Sequence, residues 1–275
     1  LEALTHAEKT EQLSEKNMLE LYGETLKTSV SRLEQYRKCP FSFYLKYGLQ
    51  LKEQEELQLK TLDTGSFMHE VIDQFFEYIE ENNIEIKQVE EKQLKEIVEK
   101  IVNNLLSIQK NYIFSSTPKL IHLTNRLKKV VTQSIAYIVY QLKVSDFQVV
   151  GTEIEFKKNS MYEPIIIELD NGKKVEVTGK IDRVDIAKDS KGKYLRIIDY
   201  KSSVRNIDLN EVITGLQIQL LTYLDAVTKI EDVLPAGVFY FNLMEPIINA
   251  ERKLTDEEIK EEIQKKFKMK GLVLA

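Results

Sequence analysis

The spacing of apolar residues changes near Ser145, and this change restricts the possible folds more than any other feature of the sequence. Before it, apolar residues recur at helical intervals, which predicts helices over residues 64–81, 86–109 and 119–143. After it, β-rich or alternating runs predict strands over residues 149–156, 163–169, 174–186, 194–202 and 236–243, with a helix over 209–227. This order favours an α/β core in which helices cover the faces of a mixed sheet.

Local signals add turns and helix ends to this outline. Asn171-Gly172 lies between two predicted strands and is a strong hairpin signal. Ser31 and Glu34 fit a capping box at the start of a helix that is interrupted near Pro40. Residues 41–49 are rich in aromatic side chains and end near a glycine, which predicts a helix stop. We expect residues 1–27 to form a flexible or partly helical lead-in.

Composition narrows the classes of function. The chain is 43% hydrophobic and 30% charged, which is typical of folded globular proteins, and no apolar run is long enough to span a bilayer. The one cysteine excludes an internal disulfide and fits a reducing cytoplasm. A formal net charge of −5 counts against nucleic-acid binding, although a nuclease contacts phosphate partly through metal ions held by its carboxylates. The sequence has no P-loop, so ATP binding is not predicted.

Two neighbouring predicted strands carry the residues that point to chemistry. Asp182 lies in GKIDRVDI, and Asp199 and Lys201 lie in IIDYKSS, two positions apart and so on one face of a strand. Two carboxylates from adjacent strands suit Mg²⁺ or Mn²⁺, and a nearby lysine can orient water or stabilise charge on a phosphate. The alternative is a solvated polar face or a cross-strand ion pair. Burying charge is costly, so a carboxylate in a largely apolar strand favours a functional site.

Five segments, in order, resemble the RecB-like branch of the PD-(D/E)XK nucleases. They are a G-x-x-x-H helix at residues 65–69, Glu153, GKIDRVD at 179–185, IDYKSS at 198–203 and the Q-x-x-x-Y helix at 219–223. The resemblance is closer to AddB-type nuclease regions, because residues 29–51, 235–243 and 268–274 also match. It implies a restriction-endonuclease-like α/β fold, with residues 28–275 as the nuclease domain and a helical insertion at about residues 84–146.

The resemblance also implies roles for individual residues. The metal ligands would be His69, Asp182, Asp199 and the carbonyl of Tyr200, with Lys201 catalytic, Glu153 a supporting carboxylate, and Gln219 and Tyr223 positioning DNA or the lysine. Without the resemblance, His69 is more simply a core or surface histidine of its helix. Gln219 and Tyr223 share one helix face, as amphipathic packing alone requires. Glu153 is barely distinguishable from Glu155.

The function implied is a metal-dependent exonuclease that hydrolyses DNA phosphodiester bonds. The family acts on single-stranded DNA from an unwound duplex, with an AddA-type helicase-nuclease partner, in double-strand break repair and recombination in the cytoplasm. Two alternatives stay open at this point. One is a non-catalytic, nuclease-like DNA-binding or scaffold module, and the other is a different Mg²⁺-dependent phosphohydrolase.

AddB-type regions also carry a 4Fe–4S cluster held by four cysteines. Cys39 in RKCPF matches the first of these, and the sequence contains no other cysteine. Because one thiolate cannot hold a four-ligand cluster, we expect a truncated chain without the cluster, or else a lineage that lacks it. In a full-length parent, Cys39 would be a cluster ligand. The alternative is that Cys39 is a small buried apolar side chain.

Overall fold

The computed structural model describes residues 13–52, 62–108, 118–231, 233–248, 250 and 252–273. The chain divides into two compact units. The first unit comprises Leu1–Gln54 and Phe156–Gly179, and the second comprises Glu55–Glu155 and Lys180–Ala275. Within the described ranges, no helix combines the length and the apolar character that a membrane span requires.

The first unit is built around a small sheet. It begins with helix α1 (Glu15–Tyr22), strand β1 (Leu26–Ser29), helices α2 (Val30–Lys38) and α3 (Pro40–Phe43), and a π-helical turn at Tyr44–Gly48. Strand β3 (Ile165–Glu168) and the first part of strand β4 (Lys174–Lys188) complete it. β1 pairs with β4 in parallel and β3 pairs with β4 antiparallel. The predicted hairpin is confirmed, because Gly172 adopts a positive φ of 76° in the β3–β4 turn.

The predicted capping box at Ser31 and Glu34 is wrong. Helix α2 is capped by Ser29, whose hydroxyl accepts a hydrogen bond from the backbone N–H of Arg32 at 3.3 Å. Serine occupies both positions, so local sequence does not separate the two candidate caps. The extended backbone of β1 selects Ser29, because a cap residue must itself be extended. The predicted interruption at Pro40 is confirmed by the start of α3.

The second unit contains three long helices. They are α4 (Leu62–Glu81), α5 (Glu91–Ile108) and α6 (Pro118–Lys143), which confirm the three helices predicted for the first half of the chain. The apolar stripe predicted for α4 is buried throughout, and its members are Phe67, Met68, Val71, Ile72, Phe75, Phe76 and Ile79. Burial of a full apolar side chain contributes about 1.5–3 kcal/mol, so this stripe holds α4 firmly in the core.

The second unit also contains a mixed sheet. Strands β2 (Gln148–Phe156), β5 (Lys193–Lys201), β6 (Leu234–Asn242) and β7 (Lys270–Val273) join β4. The β4–β5 and β6–β7 pairs are antiparallel, whereas β5 and β6 are parallel. The predicted α/β, restriction-endonuclease-like class is thereby confirmed.

Three features of the second unit differ from the sequence prediction. The single helix predicted over residues 209–227 is two helices, α7 (Leu209–Ile213) and α8 (Gln219–Glu231). The chain turns between them at Gly215, whose φ of 78° ends α7. Helix α9 (Asp256–Phe267) and the short strand β7 were not predicted. The capping box that the structure does contain lies at the start of α9, between Thr255 and Glu258.

Gly271 provides a test of the β6–β7 register. A Cβ at this position would overlap the carbonyl oxygen of Val238 and lie 2.8 Å from the Cα of Phe239. We therefore expect Gly271→Ala to lower the free energy of unfolding by about 1–3 kcal/mol, as overpacking does, in urea denaturation.

The matched control for this substitution is Gly65→Ala on helix α4. Nothing in its surroundings lies closer than 3.6 Å to an added Cβ. Alanine also favours a helix over glycine by about 0.5–1 kcal/mol, so this variant should be slightly stabilised. Equal effects of the two substitutions would show that β7 does not pair with β6 in this register.

Candidate active site

Three side chains from three elements of the second unit converge on one point. His69 comes from α4, Glu153 from β2 and Asp182 from β4, and one potential ligand atom of each lies within 4.8 Å of the others. The Nδ1 atom of His69 is 3.5 Å from Oδ2 of Asp182 and 3.8 Å from Oε1 of Glu153. An imidazole nitrogen beside two carboxylates is a donor set for a divalent transition metal, and carboxylates suit Mg²⁺ and Mn²⁺.

The backbone of the neighbouring strand holds Asp182 in place. Its Oδ2 atom accepts a hydrogen bond of 2.7 Å from the backbone N–H of Tyr200. The β4–β5 register pairs Val184 with Ile197, so Asp182 and Asp199, each two residues further, share one face of the sheet. Both carboxylates are buried, with relative exposures of 9% and 5%. The structure thus brings together the two carboxylates that the sequence analysis paired.

Lys201 partly neutralises Asp199. Its Nζ lies 2.5 Å from Oδ2 of Asp199 on the same strand. Burial, followed by the negative charge of Asp182, raises the pKa of Asp199 to about 6, although Lys201 acts in the opposite direction. Two carboxylates repel each other in a buried site, so one lysine does not make both comfortable as anions.

Glu153 is held in an uncommon backbone conformation. Its φ of 51° is positive, which is rare for a residue other than glycine and strained within a strand. The preceding Thr152 donates a hydrogen bond of 2.5 Å to Asp73 on α4, which ties this part of β2 to the helix that carries His69. Glu153 also forms an ion pair with Lys180. The structure therefore selects Glu153 over Glu155, a choice that alternation along the strand did not make.

Gln219 and Tyr223 lie on the first turns of α8, which packs against β5 and β6. The buried hydroxyl of Tyr223 hydrogen-bonds with the Gln219 side chain and with the backbone of Lys180, two residues before Asp182. Burial raises the pKa of Tyr223, so the phenol stays neutral near pH 7. The two residues thus support the strand that carries Asp182.

A buried ion network on the opposite face of the same strands was not predicted. Asp185 accepts hydrogen bonds from Arg183 Nη2 at 3.0 Å and from Arg196 Nε at 2.8 Å. Arg183 Nη1 donates to the hydroxyl of Tyr200 at 3.2 Å, and the Tyr200 ring meets His69 edge-on with centroids 5.6 Å apart. Strand alternation in DRVD placed Arg183 and Asp185 opposite Asp182 and was the available signal.

The local charges fit a divalent cation. Three carboxylates, from Glu153, Asp182 and Asp199, face two ammonium groups, from Lys180 and Lys201. Asp199 lies outside the three-residue group but is close enough to His69 and Asp182 to interact with their charges. A bound cation would remove the excess negative charge, which burial makes costly.

Cys39 lies in the first unit and caps helix α3. Its Sγ accepts a hydrogen bond of 3.4 Å from the backbone N–H of Ser42, and the side chain is half-buried. The chain contains no second cysteine, so its residues do not fit a cluster held by four thiolates. Within these residues, Cys39 acts as a helix cap.

The fold and this site are those of a nuclease class, and the chain belongs to the PD-(D/E)XK nuclease superfamily, which it matches over residues 27–271. It is 42% identical over 99% of its length to an ATP-dependent helicase/deoxyribonuclease subunit of the AddB type from Clostridium novyi. Proteins with the same name from Clostridium acetobutylicum and Ruminiclostridium cellulolyticum are 40% and 42% identical over 99% and 93% of the chain. The resemblance found in the sequence is thereby confirmed.

The chain spans only part of these relatives. It covers 25%, 24% and 23% of the three proteins, respectively. The names of these relatives therefore describe molecules about four times as long as this chain.

The raised pKa of Asp199 predicts how stability depends on pH without metal. Between its unfolded pKa of about 3.9 and its folded pKa of about 6, the folded state binds more protons, so stability falls as pH rises. Asp199→Asn mimics the neutral form. We expect it to reduce this fall by on the order of 2–3 kcal/mol in urea denaturation with EDTA, compared between pH 4 and pH 7.5.

Asp225→Asn on α8 is the control, because Asp225 is exposed and pairs with Lys229 only at the surface. It should leave the pH dependence of the unfolding free energy close to that of the wild type. The same pH dependence in the wild type and Asp199→Asn would contradict the proposed repulsion between Asp199 and Asp182.

Proposed function

We propose that this chain is the nuclease domain of a helicase-nuclease subunit and hydrolyses DNA phosphodiester bonds with Mg²⁺ or Mn²⁺. The observation that carries this proposal is the convergence of His69, Glu153 and Asp182 beside Asp199 and Lys201, in a member of a nuclease superfamily. A purely structural polar cluster would gain nothing from three carboxylates against two lysines, because buried like charges destabilise the fold.

His69, Glu153 and Asp182 would hold the metal ion, with Asp199 and the carbonyl of Tyr200 as further ligands. Glu153 enters this set because of its position, in addition to the supporting role that the resemblance implied. When bound, the ion would polarise the phosphodiester and lower the pKa of the attacking water. The Tyr200 N–H fixes Asp182, so the ligand atom is preorganised by the backbone.

Lys201 would stabilise negative charge on the phosphate. Asp199 orients its ammonium group within the site, and a preorganised cation stabilises developing charge better than mobile water does. Gln219 and Tyr223 would act from α8, by holding the Lys180 backbone and so the strand that carries Asp182. His69 is itself positioned by the edge-on contact with Tyr200.

The wider setting follows from the relatives' names and remains part of the proposal. The domain would act as an exonuclease on single-stranded DNA from an unwound duplex, with an AddA-type partner, in cytoplasmic double-strand break repair and recombination. We take residues 28–275 as this domain and residues 84–146 as its helical insertion. In a longer parent, Cys39 would ligate a 4Fe–4S cluster together with other cysteines.

Asp182→Asn tests the site directly. We expect this variant to lose Mg²⁺-dependent cleavage of a labelled single-stranded oligonucleotide, because asparagine removes the negative charge that binds the metal. The amide oxygen can still accept the Tyr200 N–H, so the circular dichroism spectrum and cooperative unfolding should persist. Asp225→Asn should cleave as the wild type does.

Two outcomes would contradict the proposal. Normal cleavage by Asp182→Asn would show that Asp182 is not required at the metal site. Wild-type protein that binds DNA but cleaves it with neither Mg²⁺ nor Mn²⁺ would favour the non-catalytic DNA-binding module. Cleavage of small phosphoesters in place of DNA would favour another phosphohydrolase.

Lys201→Met tests the division of roles between the lysine and the carboxylates. An ammonium group cannot ligate a cation, so calorimetry should show Mn²⁺ affinity that is unchanged or higher. The turnover rate at saturating metal should fall by about 2.7–4 kcal/mol of transition-state stabilisation, or roughly 10²–10³-fold. Lys229→Met on α8 is the control, since Lys229 is exposed. Weakened Mn²⁺ binding with preserved turnover would reverse the assigned roles.

A further inference from the structure

The first unit concentrates positive charge and aromatic rings in one segment. Residues 26–52 contain six basic side chains, one acidic side chain and five aromatic side chains, although the whole chain carries a formal net charge of −5. The candidate active site uses no residue of this segment. An acidic protein with one strongly basic segment has a local surface that attracts anions.

This segment surrounds a cleft of about 340 Å³, which is within the range of small-molecule sites. Helix α1, strand β1, helices α2 and α3 and the π-helical turn contribute its walls. The side chains with functional groups or rings that the argument uses are Tyr22, Lys27, Arg32, Phe43 and Tyr47.

The aromatic side chains form a graded platform. Phe43 is buried at its base, with ring centroids 6.0 Å from Tyr22 and 5.1 Å from Tyr47. Tyr22 and Tyr47 are half-buried, so part of each ring is accessible from the cleft. Rings that are supported from behind and open in front lose little conformational freedom when they stack on a planar ligand.

Cations flank the platform. The guanidinium of Arg32 lies 4.7 Å from the centre of the Tyr47 ring, and the ammonium group of Lys46 lies 5.3 Å from it. Arg32, Lys46 and Lys27 are exposed. Among the residues that the structure describes, no carboxylate forms an ion pair with any of these three. Their charges are therefore available to an anionic ligand.

We propose that this cleft binds single-stranded DNA, with one or two bases stacked on Tyr22 and Tyr47 and the adjoining phosphates at Lys27 and Arg32. Unstacked bases expose their faces, whereas duplex bases do not, so the site selects single strands. Alternation of rings and cations is the arrangement that such strands require, since each nucleotide presents one planar base and one phosphate. The proposal rests on the proposed nuclease function for its choice of DNA, but it concerns binding and not cleavage.

The test is fluorescence anisotropy of a labelled oligothymidylate with the whole chain in EDTA, where no cleavage occurs. We expect Tyr47→Ala to weaken binding about 5- to 100-fold, the effect of losing one stacked base, and Tyr47→Phe to bind as the wild type does. Arg32→Gln should reduce the slope of log affinity against log salt by about 0.7, as expected for one lost phosphate contact on a single strand. Lys27→Gln should act in the same way, and Lys229→Gln on α8 should not.

Three results would overturn the proposal. The first is wild-type affinity in Tyr47→Ala together with unchanged salt slopes in Arg32→Gln and Lys27→Gln. The second is duplex DNA that binds as tightly as the oligothymidylate. The third is competition by polyglutamate or by oligouridylate that exceeds competition by unlabelled oligothymidylate, which would identify an acidic peptide or RNA as the ligand. Lys27 and Arg32 are exposed, so their variants report on binding even where Tyr47→Ala unfolds.

Failure of this proposal is separable from failure of the proposed function. Mg²⁺-dependent cleavage by the wild type, with normal DNA binding by all cleft variants, would remove the cleft and keep the nuclease. Weakened binding by the cleft variants, without cleavage by the wild type, would do the reverse.

Discussion

The antiparallel pairing of β4 with β5 is the constraint on which the candidate site depends. The hydrogen bond from the Tyr200 backbone to Asp182 belongs to this pairing and fixes a buried carboxylate without any flexible side-chain partner. The register sets Asp199 on the same face as Asp182 and Tyr200 on the other. A shift by one residue would exchange the two faces and remove the site, so the site is only as well defined as the strand register.

Charged residues occupy both faces of this strand pair, and the two groups have different energetics. On one face, Arg183 and Arg196 surround Asp185 with matched hydrogen bonds, so removal of one partner would leave the others buried and unpaired. On the other face, carboxylates outnumber ammonium groups, and Asp199 has a raised pKa of about 6. The first group is balanced by the protein, whereas the second is completed by a cation. Sites that bind and react commonly retain such unfavourable charge at a cost in stability.

The distribution of charge explains how an acidic chain is compatible with nucleic acid as a ligand. The negative charge that counts against DNA binding includes carboxylates of the candidate metal site, which contact phosphate through a cation. The basic segment at residues 26–52 is in the first unit, around the cleft beside Tyr47. Net charge averages over these two opposite surfaces, so it is a weak guide to the ligands of either.

Local sequence was sufficient for most elements and for the pair Asp182 and Asp199, because apolar periodicity and strand alternation depend on neighbouring residues. The short strands β1 and β7 were not predicted, since four residues carry little periodicity and their pairing partners are remote in sequence. The same limit applies to Glu153, which a positive φ and its contacts separate from Glu155, and to Arg196, which meets Asp185 only across the sheet. Cross-strand neighbours, cleft walls and cap choice arise from long-range packing, which no local pattern encodes.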